Sequence, residues 1–195
     1  MRSLSVPVVF GALVLSTAAS ARAVSVEETT LSVRRALERL PYYGVFDMVA
    51  FGVERGTITL AGYAYRPSLK KEAESAAWRG VGVEEIANRI EILPPSEDDD
   101  RIRWATFYNV YTDEFLSRYA PGGVMQTRRA LFEYRQFPGM QPFGTYPIHI
   151  VVRRGQTTLV GVVDSASDKL MAEVRAREVS GVFGVENALV VKKAD

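Results

Sequence analysis

The chemistry open to this chain is narrow. One histidine is present, His149, between Ile148 and Ile150 in a stretch whose alternation predicts a strand. Acyl-transfer chemistry would need a nucleophile and an orienting group converging on that imidazole. The sequence offers neither a Gly-x-Ser-x-Gly elbow nor a His-Glu-x-x-His helix. It has no cysteine, which removes thiolate nucleophiles and thiolate metal ligands. The four consecutive acids Glu97 to Asp100 lack the spaced ligands and glycine of a calcium loop, so residues 95–100 read as a solvated acidic linker. Scattered carboxylates leave a two-carboxylate envelope hydrolase as a remote alternative. Otherwise no catalytic residue, cofactor or metal site is expected.

Binding chemistry is better represented. Basic pairs occur at Lys70-Lys71, Arg153-Arg154 and Lys192-Lys193. Each reads first as a solvated edge. Beside exposed apolar groups, such pairs would attract anionic lipid headgroups by about 1 kcal/mol per charge. The Pro/Gly-rich stretch 137–147 is unusually apolar for a loop, and Phe137, Met140, Phe143 and Tyr146 lie in it. It is either a strap packed on the core or a contact loop for a partner or membrane. With Arg153 and Arg154 these four side chains form the candidate contact set. A protein-assembly scaffold using the 137–147 loop is the alternative function. Upstream, Trp104, Tyr108, Tyr111, Phe115 and Tyr119 recur at spacings of three and four, as on one helix or a broken pair. That stripe reads as the buried face of a helix, with a carbohydrate or aromatic-ligand platform as the alternative.

Residues 1–23 read as a secretory leader. Arg2 is a short basic start, Val6 to Leu15 is apolar, and Ala21-Arg22-Ala23 is a small-x-small cleavage site. A periplasmic or secreted location is therefore expected. The apolar run is short for a bilayer span and no later segment is longer, so no transmembrane span is expected in the mature chain. With no cysteine for a lipobox, a lipoprotein anchor is excluded. The 24 Lys and Arg, less Arg2 and Arg22 of the leader, face 23 Asp and Glu, a mature charge near −1. That balance lacks the basic excess of a nucleic-acid binder.

What must position these residues is a scaffold present twice. A shift of 99 places Val49–Leu93 on Ile148–Lys192 without a gap. Val53, Arg55 and Gly56 fall on Val152, Arg154 and Gly155, and Gly82, Val83 and Asn88 fall on Gly181, Val182 and Asn187. An internal repeat fixes the fold reading before any local motif does. In the first copy an amphipathic helix is predicted over 26–40 and strands over 48–54 and 57–65. A helix N-capped by Ser68 follows over 70–79, then a strand over 85–93. The second copy repeats the hairpin over 148–163, a helix over 167–179 and a strand over 184–192. A further helix is predicted over 127–134. Its Arg128-Arg129-Ala130-Leu131 echoes Arg34-Arg35-Ala36-Leu37, so it competes with the aromatic stripe for the role of the second copy's first helix. The turn glycines are Gly56, Gly62, Gly82, Gly155, Gly161 and Gly181.

The repeated core resembles the BON domain, named for bacterial osmotically inducible and nodulation proteins. The resemblance rests on Arg55-Gly56-Thr57-Ile58-Thr59-Leu60-Ala61-Gly62, Lys71-Glu72-Ala73 and Gly82-Val83-Glu84-Glu85-Ile86-Ala87-Asn88. In the second copy it rests on Arg154 to Gly161 and Gly181 to Asn187. It implies an α+β fold of two αββαβ modules, each a three-stranded mixed sheet with two helices on one face. The modules would span 24–94 and 101–195, the second with an insertion over 120–147. It also implies a non-enzymatic envelope protein that binds phospholipid surfaces or envelope proteins, with a role in envelope stress protection.

Overall fold

The computed structural model describes residues 24–41, 43–136, 141, 142 and 145–193. The leader expected over 1–23 lies outside them. Among the described residues no helix is long and apolar enough to cross a membrane.

Module one runs α1 (Val26–Glu38), β1 (Met48–Glu54), β2 (Thr57–Ala64), α2 (Pro67–Ala77) and β3 (Glu85–Ile92). Its sheet has the order β1-β2-β3, antiparallel across the hairpin and parallel between β2 and β3. Module two repeats this with β4 (Ile148–Arg153), β5 (Gln156–Val163), α5 (Ala166–Arg177) and β6 (Gly184–Val191). Ahead of β4 it carries α3 (Glu97–Thr112), a 3-10 turn (Leu116–Tyr119) and α4 (Gly123–Gln136).

The repeated residues explain the repeated backbone. Each hairpin turns through an Arg-Gly pair with both φ angles positive, 47° and 83° at Arg55-Gly56 and 53° and 73° at Arg154-Gly155. That is the pattern whose twist matches two antiparallel strands. Gly62 and Gly161 are not turn residues, contrary to the sequence reading. They lie inside β2 and β5, where a Cβ would collide with the carbonyl oxygens of Met48 and Pro147. The repeated asparagines tie helix to sheet. Asn88 Nδ2 donates to the Lys70 carbonyl (2.9 Å) and Glu74 Oε2 (2.9 Å), and its Oδ1 accepts from Ile90 N–H (3.2 Å). Asn187 does the same with Lys169 (2.8 Å), Glu173 (3.2 Å) and Leu189 (3.3 Å).

Helix starts depart from expectation in two places. Ser68 is not a cap: α2 begins one residue earlier, with Pro67 in its first turn, where a missing N–H costs nothing. In module two Ser165 caps α5, accepting from Asp168 N–H at 3.1 Å.

The acidic linker is a helix start. Ser96 caps α3 by accepting from Asp99 N–H (3.2 Å), and the four acids form the first turn, where the helix dipole favours negative charge. Asp99 is buried and accepts from the hairpin N–H groups of Arg154 (2.8 Å) and Gly155 (2.9 Å). Asp100 pairs with the buried Arg103, whose Nη2 donates to the Val152 carbonyl at 2.6 Å. The charge run therefore fastens α3 to the β4–β5 hairpin. α3 rests on β4 and α5 as α1 rests on β1 and α2, and α4 packs on α3 rather than on the sheet. This settles which helix opens module two: it is the aromatic one.

The modules meet through a loop. Val45 and Phe46, between α1 and β1, belong to the core of module two. Ile150 N–H donates to the Val45 carbonyl at 2.7 Å, closing the outer edge of β4. The Phe46 ring stands edge-on to Trp104 at 5.3 Å and Phe107 at 6.2 Å. Glu91 and Arg153 pair across the modules at 3.0 Å.

Candidate functional site: the outer face of α4

The second copy departs from the repeat at α4, and there the molecule presents a built surface. Gly122 and Gly123, with φ of 74° and 73°, bring the chain into the helix. Thr127 and Ala130 are buried, and Tyr134 stacks on Trp104 of α3 at 4.3 Å between centroids and 19° between planes. These positions are three and four apart, one helical face. The opposite face also has helical spacing: Met125, Arg128, Arg129 and Phe132. Met125 is 75% exposed and Phe132 63%. Arg129 pairs with Glu133 at 2.9 Å, while Arg128 has no ion pair among the described residues.

Between α3 and α4 runs an open groove of about 1000 Å³. Trp104, Tyr108, Leu131 and Phe132 supply its apolar wall, and Arg101 and Arg128 supply cations. Glu97 and Asp100 also line it, both from the first turn of α3. The α4 wall contributes no carboxylate, and Asp100 is held by Arg103. Two-carboxylate hydrolysis places its groups on either side of a scissile bond, and this groove does not. Among the described residues no cluster of three or more His, Asp or Glu could hold a metal ion.

The predicted aromatic stripe is only partly a buried face. Trp104, Tyr111 and Tyr119 are buried, Tyr108 faces the groove, and Phe115 is exposed because α3 ends at Asp113. Asp113 accepts from Phe115 N–H (2.8 Å), Leu116 N–H (3.0 Å) and Arg175 Nε (2.7 Å). Its carboxyl lies below the ordinary range: burial raises it, and the Arg175 bond and the two backbone bonds outweigh that.

Three of the six predicted contact residues fall within the described residues. Phe137, Met140 and Phe143 lie outside the described residues. Tyr146 is not a contact residue. It is buried edge-on to Tyr111 (5.1 Å) and Phe107 (5.5 Å), and burial pushes its phenol up to about 12. Arg153 is engaged with Glu91, and Arg154 is the hairpin residue whose N–H rests on Asp99.

His149 serves the module junction. Its Nδ1 lies 3.1 Å from the Gly44 carbonyl, which can only accept, so Nδ1 carries the proton. Its ring packs on Tyr43 at 4.9 Å. Burial holds the imidazole below its usual value, against the Gly44 bond and the charge of Asp47. Asp47, fully buried, accepts from Gly44 N–H (3.0 Å), Tyr65 N–H (2.7 Å) and Gln141 Nε2 (2.9 Å). Burial raises its carboxyl despite those bonds.

Sequence reasoning missed Met125, Arg128 and Phe132 as surface residues. Their helical spacing is visible in the sequence, but spacing alone does not say which face of α4 meets solvent.

Comparison with known families matches the BON domain over residues 25–94 and 135–193. The chain belongs to the BON domain family, as a tandem of two such domains. The second match starts in the last turn of α4 and leaves α3 outside, although α3 takes the place of α1. Comparison with curated proteins found no match. Two solved structures of CdsD, a structural protein of the type III secretion system of Chlamydia trachomatis, align at 12% identity and a TM-score of 0.25. One, its C-terminal domain, pairs 84% of this chain with 96% of that one, and the other pairs 85% with 93%. Overlays this loose carry no argument about this chain.

Proposed function

We propose that this tandem BON protein is an exported, non-catalytic envelope protein that binds anionic phospholipid surfaces through the outer face of α4, in support of envelope integrity under stress. One observation carries the reading: α4 holds Met125 and Phe132 in solvent beside Arg128 and Arg129. A helix with apolar side chains flanked by arginines is the composition that lies in a membrane interface. Inserting the two apolar side chains would contribute about 2 kcal/mol each. Arg128 would add about 1 kcal/mol near an anionic surface, and Arg129, paired with Glu133, would add less. The near-neutral mature chain then needs a local patch, not a global charge, to choose its surface.

Co-sedimentation with phosphatidylglycerol and phosphatidylcholine vesicles tests this. Retention on the anionic vesicles at low salt is expected, with most of it lost in Met125→Ser/Phe132→Ser and reduced in Arg128→Gln. No retention on either vesicle at low salt would sink the proposal.

A further inference from the structure

Laying one module on the other exposes a second surface. At the offset of 99, five exposed positions change from polar to apolar. Lys71, Ser75, Glu84, Arg89 and Glu91 of module one become Leu170, Val174, Phe183, Ala188 and Val190. The backbone plan is common to both modules, so the fold does not demand the change. Phe183 is 81% exposed, Leu170 63% and Val190 61%. Leu170 and Val174 lie on the α5 side of sheet two, and Ala188 and Val190 on its opposite face, so the apolar positions flank β6 from both sides.

Two of the five positions, Ala188 and Val190, lie on the free edge of sheet two. β6 is its outer strand, and module one closes the opposite edge through Val45 and Ile150. On α5, Arg175 turns to α3 through Asp113, while Lys169 and Glu173 reach Asn187 of β6. Leu170 and Val174 come next in rotation at 100° per residue, on the side away from α3. An edge strand offers unpaired N–H and C=O groups and is ordinarily blunted by charge. β3 follows that rule with Glu85, Arg89 and Glu91, whereas β6 has Gly184, Ala188 and Val190 at the same places.

We propose that a second copy of this chain occupies this edge. The two β6 strands pair antiparallel about a two-fold axis, forming one six-stranded sheet with both α5 helices on the same face. Lys192 N–H bonds inward to the Val163 carbonyl, so the outward groups of β6 belong to odd-numbered residues. Only registers that oppose odd with odd are open. With the axis at Leu189, whose N–H exchanges Asn187 Oδ1 for the Leu189 carbonyl of the second copy, Glu186 faces Lys192 twice and Ala188 faces Val190 twice. An axis at Ala188 sets Glu186 against Val190, and an axis at Val190 sets Lys192 against Ala188. The charges therefore select Leu189.

Sedimentation equilibrium of the purified protein should show a monomer–dimer equilibrium. Glu186→Lys and Lys192→Glu, both exposed positions, should each weaken the dimer roughly tenfold by turning both ion pairs repulsive. The double exchange should restore it. In this cysteine-free chain, Ala188→Cys mixed with Val190→Cys should crosslink on mild oxidation, while neither does so alone. Circular dichroism confirms that each variant is folded. A chain monomeric up to about 1 mM, the limit of weak specific association, overturns the proposal. So does a dimer unmoved by the single exchanges or not restored by the double.

Discussion

The two modules share a backbone and differ in what fills it. Among the described residues, the buried core of module one is eight aliphatic and alanine side chains, with no aromatic ring. That of module two has twenty-one; within it Phe107 meets Trp104 and Tyr146 edge to face, as Tyr146 does Tyr111. Two of the twenty-one, Val45 and Phe46, come from the loop of module one. The smaller module thus gives its largest fully buried side chain to the larger, and its own sheet packs through the close approach of Ala73 and Ala77. The difference shows that a repeated fold template does not imply independent stabilities. A small domain has little surplus burial to give away.

The hardest blow to this asymmetry is Phe46→Ala. It should cost about 3–5 kcal/mol, the range for truncating a buried phenylalanine, and the cost should fall on module two. In a Trp78→Phe background Trp104 is the sole tryptophan, so its fluorescence in urea reports that module. An unchanged midpoint would mean that the loop is a bystander. A middle-sized test asks where the modules are alike. Asn88→Ala and Asn187→Ala remove the same three bonds and should each cost about 1–2 kcal/mol. The two losses should agree within about 0.5 kcal/mol, and a larger gap would show that the pins are not equivalent.

The smallest expected effect is on the junction. His149 is held below its usual pKa, so the stability it allows is complete above about 6.5 and is lost as pH falls through its lower folded value. Stability should fall as pH drops below about 6.5, and His149→Gln should flatten that slope. Asp47 works in the opposite sense and at lower pH. Its raised carboxyl favours the folded state below the ordinary value of 3.8 and loses that contribution as pH rises. A slope unchanged in the variant would place the acid sensitivity elsewhere.

Much of this architecture could be read from the chain. The 99-residue echo carries the hairpins, α2 and α5, and the parallel strands, because turn glycines and alternating apolar residues are local signals. The acidic run looks like a linker by composition and like a helix start by position: Ser96 followed three residues on by Asp99 is a helix-start pattern, and four acids suit a first turn. The seat of Phe46 was beyond reach. Nothing near Phe46 distinguishes a ring bound for its own core from one bound for a core whose helix starts some fifty residues later. The outer face of α4 lay between these cases, its spacing visible but its exposure decided by which helix reached the sheet.

The Val45–Phe46 loop also bears on descent. Tandem copies usually stay free to be shuffled, deleted or multiplied, since each folds on its own account. Once one copy houses a neighbour's side chains, a further duplication of either alone leaves an unfilled pocket or a stranded phenylalanine. The pair should therefore be inherited as a single unit, with related chains keeping or losing both halves together.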